Sequence, residues 1–137
     1  MNKPFIQIAA LLGALAVILG AFAAHGLKAK VTADALQVFE TGVRYQMYHV
    51  FALALTGIVF AHAKAKTARA AGNLFIAGII LFSGSLYALT FAVNAGNVGL
   101  EKIGIVTPIG GLCLILGWIM LAISLRNSKS SSKAHLS

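Results

Sequence analysis

Three stretches of about 20 residues carry no charged side chain, and this feature constrains the chain more than any other. They cover residues 5–24, 74–93 and 103–125. Crossing about 30 Å of hydrocarbon takes roughly 20 residues of α-helix, because each residue rises about 1.5 Å and lipid offers no partner to an unpaired backbone amide. The sequence therefore predicts a membrane-spanning helix at each of these positions.

A fourth window, residues 45–63, reaches spanning length only when a polar entry is counted with it. This entry is formed by Tyr45, Gln46, Tyr48 and His49. The composition agrees with a membrane protein, since 59% of the residues are hydrophobic and 10% are charged, where soluble domains carry about 25% charged residues. The predicted fold class is an all-α membrane protein with four transmembrane helices in an antiparallel bundle.

An amphipathic helix is predicted between the first and second spans. Thr32 suits the N-cap of such a helix. One apolar stripe with helical spacing follows it, made by Leu36, Phe39, Val43 and Met47. We expect this helix to lie in the membrane interface and the chain to bend at Gly42 before the second span. The alternative is a single long helix that runs on into that span.

The distribution of Lys and Arg predicts the orientation, because basic residues are retained on the cytoplasmic side. With four spans, both termini and the middle loop share a side that holds seven of these residues, against four on the other side. We therefore expect a multi-pass inner-membrane protein with both termini in the cytoplasm. Residues 1–126 are expected to form the transmembrane domain, and residues 127–137, rich in Ser and Lys, a disordered cytoplasmic tail.

The first apolar run also raises the question of a cleaved signal peptide. Ala21-Phe22-Ala23 resembles a signal-peptidase site. However, the run is longer than the roughly 7–15 apolar residues of a signal peptide, which favours a retained span.

The sequence contains no motif that indicates an enzyme. G-x-S-x-G, the P-loop pattern and H-E-x-x-H are all missing, and no carboxylate falls in a predicted span, which disfavours an ion-coupled transporter. The single cysteine, Cys113, excludes an intrachain disulfide. We expect no enzymatic activity, no cofactor, no metal and no nucleic-acid partner. The expected partners are membrane lipids. A second copy of the chain, in a homo-oligomer, is a further candidate partner.

Polar side chains with rings are expected to meet at the extracytoplasmic end of the bundle. His25 ends the first predicted span, Tyr45 and His49 begin the second, and Tyr87 lies in the outer half of the third. An unpaired polar group facing hydrocarbon costs several kcal/mol, which mutual contact removes. The cluster is either a site for a lipid headgroup, solute or metal, or a structural network whose members saturate one another. Two imidazoles without a carboxylate make a thin metal site.

Small residues are expected to carry the packing between helices, because lipid removes most of the hydrophobic drive for helices to associate. Trp118 is expected to fill a groove left by glycine. The full set of predicted packing residues is Gly13, Gly20, Gly78, Gly84, Gly110, Gly111, Gly117 and Trp118.

Four sequence segments, in this order and spacing, resemble one family of small bacterial inner-membrane proteins. They are residues 20–27 (GAFAAHGL), 41–45 (TGVRY) with His49, 82–87 (FSGSLY), and 107–111 (TPIGG) with Gly117 and Trp118. The family is the YgdD family, the UPF0382-type domain of unknown function 423. The resemblance covers nearly the whole chain and implies a multi-pass plasma-membrane protein, but it brings no established catalytic or binding residue with it.

Two functions from different classes fit the sequence. The first is non-enzymatic binding of lipid or of a partner helix. The second is a small-solute channel or facilitator, which would be oligomeric because four short helices with so little polar lining do not enclose a pore alone. A third, a membrane enzyme using His25 or His49 as acid or base, lacks a nucleophile or metal set beside the imidazole.

The charge count generates the first prediction. Reporter fusions placed at Ser137 and near Lys66 should both read cytoplasmic, because both positions lie on the side richer in Lys and Arg. An extracytoplasmic signal from either fusion would contradict the predicted topology.

Overall fold

The computed structural model describes residues 1–96 and 101–126, which are helical apart from short connections. The tail predicted at residues 127–137 lies outside the described residues. Two short π-helical segments continue longer helices: Ala23–Leu27 extends the first, and Ile79–Ser83 joins the third to the fourth. A 3-10 turn, Phe60–His62, follows the second helix. The helices are α1 (Lys3–Phe22), α2 (Ala33–Val59), α3 (Ala65–Gly78), α4 (Gly84–Asn94) and α5 (Glu101–Ser124).

Side-chain caps fix where the first two helices begin. The Asn2 side chain accepts a hydrogen bond from the backbone N–H of Phe5 at 3.2 Å, with Pro4 in the first turn of α1. Thr32 Oγ1 accepts from the backbone N–H of Ala35 at 3.2 Å. Each bond satisfies one of the amide groups that a helix leaves unpaired at its start. The N-cap predicted at Thr32 is confirmed.

Three helical segments are long and apolar enough to cross a membrane: Lys3–Leu27, Ala65–Asn94 and Lys102–Ser124. They cover the three uncharged runs found in the sequence, except that the last segment ends one residue earlier, at Ser124. The middle segment combines α3, its π segment and α4 into one helical rod. α2 is not among the three, because Arg44, Gln46 and His49 interrupt its apolar character.

The helix predicted to lie in the membrane interface is not a separate element. α2 is continuous from Ala33 to Val59 and passes through Gly42 without a break. Its apolar stripe faces protein, since Leu36 and Val43 pack against the buried residues Ala23, Leu27 and Phe39. The single long helix is therefore the arrangement found, because a neighbouring helix buries the stripe that would otherwise rest on lipid.

α1 and α2 run in opposite directions, as the pairing of residues along them shows. Along α1 and α2, Gly57 approaches Ile6 and Gly20 approaches Val43. α2 also packs on the rod made by α3 and α4, and this rod packs on α5. A core of larger side chains joins α1, α2, α3 and α5. It includes Phe5, Leu53, Phe75 and Leu114.

Glycine permits the closest approaches between the α3–α4 rod and α5. A Cβ on Gly110 would collide with the backbone of Leu81 and Phe82, and one on Gly78 would collide with Leu114. A Cβ on Gly117 would lie 2.8 Å from the ring of Phe75. The packing roles predicted for Gly78, Gly110 and Gly117 agree with these contacts.

The other predicted packing glycines differ among themselves. A Cβ on Gly13 would lie 3.3 Å from Val50 Cγ1, which is a tight contact, whereas Gly20 is in ordinary contact with Val43 and Gly111 lies beside the ring of Phe82. Gly84 is exposed and a Cβ there would meet nothing within 4 Å, so the packing role predicted for it within the chain is wrong. Three tight approaches were missed, at Gly42, Gly57 and Gly72.

The contact at Gly110 generates a test of packing. Gly110→Ala should lower the free energy of unfolding in detergent by about 1–3 kcal/mol. The added methyl group would meet the backbone of Leu81 and Phe82, which cannot move aside as a flexible side chain can. Gly84→Ala is the matched control and should be neutral or stabilising, since alanine favours helix over glycine by up to about 1 kcal/mol. Equal effects of the two substitutions would contradict this account.

Candidate functional site

Gln46 forms the polar connection between α1, α2 and α4. Its side chain is 2% exposed. Nε2 donates to the Leu12 carbonyl at 2.8 Å, and Oε1 accepts from the Tyr87 hydroxyl at 2.6 Å. Both ends of the amide are therefore engaged, so a group that would be costly to bury alone instead fixes the relative positions of three helices.

Two further hydrogen bonds cross between helices. Ser83 Oγ donates to the Gly42 carbonyl at 2.7 Å, and the hydroxyls of Ser85 and Thr107 are bonded at 2.6 Å. Within residues 1–96 and 101–126, no buried side-chain nitrogen or oxygen is left without a partner. The polar groups between the helices are thus bonded mainly to each other and to backbone carbonyls.

His49 is held at both ring nitrogens. Nδ1 lies 2.7 Å from the Tyr45 carbonyl, and Trp118 Nε1 donates to Nε2 at 3.1 Å. A carbonyl only accepts, so Nδ1 carries the hydrogen and Nε2 is the acceptor, which assigns the neutral tautomer. Binding a metal or a second proton at His49 would require breaking its bond to Trp118.

Aromatic rings surround this histidine. The Tyr45 and Phe82 ring centroids are 4.9 Å apart, and those of Phe75 and Trp118 are 5.3 Å apart. His49 lies 6.0 Å from both Phe75 and Trp118. Such tilted and edge-to-face pairs are favourable for aromatic groups and hold the rings in defined positions.

These rings wall a cleft between α2 and α5, which we call the lateral cleft. Its volume is about 350 Å³. Tyr45, His49 and Phe82 line one side, and the α5 residues Gly111, Leu114, Ile115 and Trp118 line the other. Tyr45, Ile115 and Trp118 are exposed at its mouth. The surface of the cleft is therefore largely apolar, with its one buried imidazole already hydrogen-bonded.

The structure divides the predicted four-residue cluster. Tyr45 and His49 share a helical face, with stacked rings 6.2 Å apart, as their spacing predicts. Tyr87 points elsewhere: its hydroxyl is bound to Gln46, and its ring lies 4.9 Å from that of Phe39. Tyr87 therefore belongs to the polar connection of Gln46, and the cleft takes only Tyr45 and His49.

His25 is not part of either group. It is exposed on the π segment at the end of α1. Along the antiparallel pair, Gly13 faces Val50 and Gly20 faces Val43, which brings His25 level with Val38. At about 1.5 Å per residue, that level is roughly 16 Å from His49 along the axis.

The prediction of one cluster was wrong because the chain does not bend at Gly42. A second span that started at Tyr45 would put Tyr45 and His49 at the membrane surface. α2 instead runs unbroken from Ala33 to Val59, so both residues lie near its middle. The depth of a side chain depends on the full extent of its helix, and the bend expected from the local sequence hid that extent.

Gln46 and Phe82 were missed as functional residues, and for Gln46 a signal existed. The buried face of α2 follows alternating spacings of three and four residues, the pattern of a helix that turns one continuous stripe toward its neighbours. Extending that pattern through the polar segment would have placed Gln46 inside. This face carries Phe39, Gly42, Gln46, His49, Leu53 and Thr56.

The lateral cleft offers a surface on which an apolar ligand could bind. Among the described residues, no three His, Cys, Asp or Glu side chains lie together as a metal site requires. The lateral cleft presents aromatic and aliphatic walls to whatever occupies it.

Comparison with known proteins shows that the chain belongs to a family of membrane proteins. The sequence profile described as "Protein of unknown function (DUF423)" matches residues 19–111. A UPF0382 membrane protein of Haemophilus influenzae is 45% identical over 95% of this chain and 99% of its own length. The UPF0382 membrane protein YwdK of Bacillus subtilis is 43% identical over 89% of this chain and 95% of its own length. These matches confirm the resemblance drawn from four sequence segments. No solved structure matches the chain.

The Gln46 connection generates a test. Tyr87→Phe should lower the free energy of unfolding by between about 0.6 and 2 kcal/mol, because it leaves Gln46 Oε1 without its donor in a buried place. Gln46→Leu should lower the free energy of unfolding by less in the Tyr87→Phe variant than in the unmodified chain. Tyr48→Phe, at an exposed tyrosine, is the control, and denaturation in mixed micelles is the measurement. If Tyr87→Phe destabilises the protein no more than Tyr48→Phe does, the hydrogen bond between Tyr87 and Gln46 does not stabilise the fold.

Proposed function

The chain belongs to the DUF423 family, whose relatives are named UPF0382 membrane proteins, and from that membership we propose that it is a non-enzymatic membrane protein that binds lipid acyl chains in the lateral cleft. The observation that carries the proposal is the cleft itself. It has a volume of about 350 Å³ and opens between α2 and α5, with its mouth at Tyr45, Ile115 and Trp118.

The depth of the cleft suits the hydrocarbon part of a lipid. His49 lies near the middle of α2, and Trp118 lies within the apolar segment Lys102–Ser124. At this depth a bilayer supplies acyl chains and little water. Aromatic and aliphatic walls attract such chains by dispersion, and the bond between His49 and Trp118 leaves no imidazole nitrogen to seek water.

The proposed topology has four spans, with α2 as the second. Contacts from Gly57 to Val43 place this part of α2 beside α1 from Ile6 to Gly20. Because this stretch of α1 lies within an apolar segment long enough to cross a membrane, a helix that stays beside it crosses as well. In this proposal the first turns of α2, with Asp34, reach the membrane surface.

Both termini lie in the cytoplasm in this proposal, and the membrane is the inner one. The short connection between α2 and α3 and the end of α5 then lie on the cytoplasmic side. Lys64, Lys66, Arg69 and Arg126 are found there, in keeping with the retention of basic residues on that side.

Binding is favoured over conduction by the way the polar groups are used. A pore needs polar groups that face a water-filled path. In the part of the chain that the structure describes, Gln46, Ser83 and Tyr87 bind other helices instead. Catalysis gains no support either, since His49 is occupied at both nitrogens.

The test measures retained lipid. The protein purified in mild detergent should carry phospholipid that native mass spectrometry detects, and Gly111→Leu should lower the bound fraction several-fold because its side chain enters the cleft beside Phe82. Gly104→Leu is the matched control: it lies two turns away on α5, where a Cβ meets nothing within 4 Å. Retention that is equal in both variants would overturn the proposal.

A second measurement uses the single tryptophan, which lies in the cleft. Phosphatidylcholine with brominated acyl chains, added to the protein in micelles, should quench Trp118 fluorescence at low lipid-to-protein ratio. The quenching should need more lipid in Gly111→Leu than in Gly104→Leu. Quenching curves that coincide for these two variants and the unmodified chain would show that lipid meets Trp118 only as bulk solvent.

A further inference from the structure

A second cavity lies at the end of the fold where α2 leads into α3 and α5 ends. Its volume is about 370 Å³. We call it the basic pocket, because its wall carries His62, Lys64 and Arg126, which are all exposed. The remaining lining residues are Ala61, Ala63, Ser124 and Leu125.

Backbone hydrogen bonds build this pocket. The N–H of Lys64 donates to the Ser124 carbonyl at 2.9 Å and ties the start of α3 to the end of α5. The N–H of Ala63 donates to the Phe60 carbonyl at 3.3 Å, and that of Arg126 to the Ile123 carbonyl at 3.1 Å. The three basic side chains take no part in these bonds, so the pocket keeps its shape when one of them is replaced.

The electrostatics of the pocket favour an anion. α3 begins at Ala65, its N-cap Lys64 makes no side-chain capping bond, and its first turn holds no acidic residue. A helix start of this kind carries partial positive charge that adds to the charge of the side chains. The opposite partial charge at the end of α5 is reduced locally, since the Ser124 carbonyl is already bound to the Lys64 N–H. The nearest acidic residue along the chain, Glu40, lies at the far half of α2.

We propose that the basic pocket binds a phosphate group through Arg126 and Lys64, with His62 at its rim. A guanidinium offers paired N–H donors to phosphate oxygens, and an ammonium offers a compact charge. Phosphate occurs in this setting both in the headgroups of anionic phospholipids and free in the cytoplasm. Basic pockets between transmembrane helices are suited to the headgroups. This inference rests only on the part of the proposed function that puts the chain in a membrane, and it does not depend on what fills the lateral cleft.

A general attraction between basic residues and anionic lipid must be separated from a built site. Lys66 and Arg69 lie on the same end of α3 but do not line the pocket, and the Arg69 guanidinium sits 5.8 Å from the Phe60 ring centre. Lys66→Gln therefore removes the same charge as Lys64→Gln at nearly the same depth. This pair of substitutions isolates the contribution of the pocket.

The experiment measures binding of phosphatidylglycerol and of phosphatidylcholine to the full chain by native mass spectrometry. Lys64→Gln and Arg126→Gln should each weaken phosphatidylglycerol binding about tenfold, the factor that one charge-assisted hydrogen bond to phosphate supplies. Lys66→Gln should change it much less, and phosphatidylcholine with brominated chains should still quench Trp118 in all three variants. The last readout keeps a failure of this inference distinct from a failure of the lateral cleft.

Inorganic phosphate distinguishes the two sources. Thermal unfolding is compared in phosphate and in chloride at equal ionic strength. Stabilisation by phosphate that Arg126→Gln abolishes assigns the pocket to a free phosphate, whereas selective loss of phosphatidylglycerol binding without that stabilisation assigns it to the lipid headgroup. The inference is overturned if neither ligand responds to Lys64→Gln and Arg126→Gln, or if Lys66→Gln weakens binding as much as they do.

Discussion

The close approach of α5 to the backbone of the α3–α4 rod is the contact on which much of the remaining architecture depends. Gly110 rests on the backbone of Leu81 and Phe82, within the π segment Ile79–Ser83. Two further close contacts between these helices lie nearer to the start of α3, where Gly78 meets Leu114 and Gly117 meets Phe75. In lipid, close van der Waals packing replaces much of the hydrophobic drive, so these contacts set the register of the two helices. The side chain of Phe82 is thereby held between α2 and α5, where it forms part of the lateral cleft.

The interhelical hydrogen bonds add specificity to this packing and also decide what the polar residues can do. Gln46 binds α1 and α4 at once, and Ser83 binds the Gly42 carbonyl where glycine lets Tyr87 approach. A side chain that satisfies a neighbour in this way is not available to a substrate. The most unusual residues of the spans therefore stabilise the fold, and the binding surfaces arise from apolar walls and from basic residues at one end.

The two cavities differ in the physics of what they attract. The lateral cleft is walled by rings and aliphatic side chains near the middle of α2. The basic pocket is shaped by backbone bonds and carries positive charge where helices end. Trp118 of the cleft and Leu125 of the pocket lie two turns apart along α5 and its continuation, so they fall on one side of that helix.

The sequence by itself determined that the chain is a membrane protein, that three of its stretches are long and apolar enough to cross a bilayer, and that Thr32 starts the second helix. These properties are local, because the length and composition of a run do not depend on where its neighbours lie. It also identified Gly78, Gly110 and Gly117 as packing residues and placed Tyr45 with His49 on one face. The tertiary structure alone decided that α2 continues without a break through Gly42, that His25 stands apart, and that Trp118 binds His49. Those outcomes depend on the register between helices, and register is set by contacts among residues far apart in sequence, which no local pattern contains.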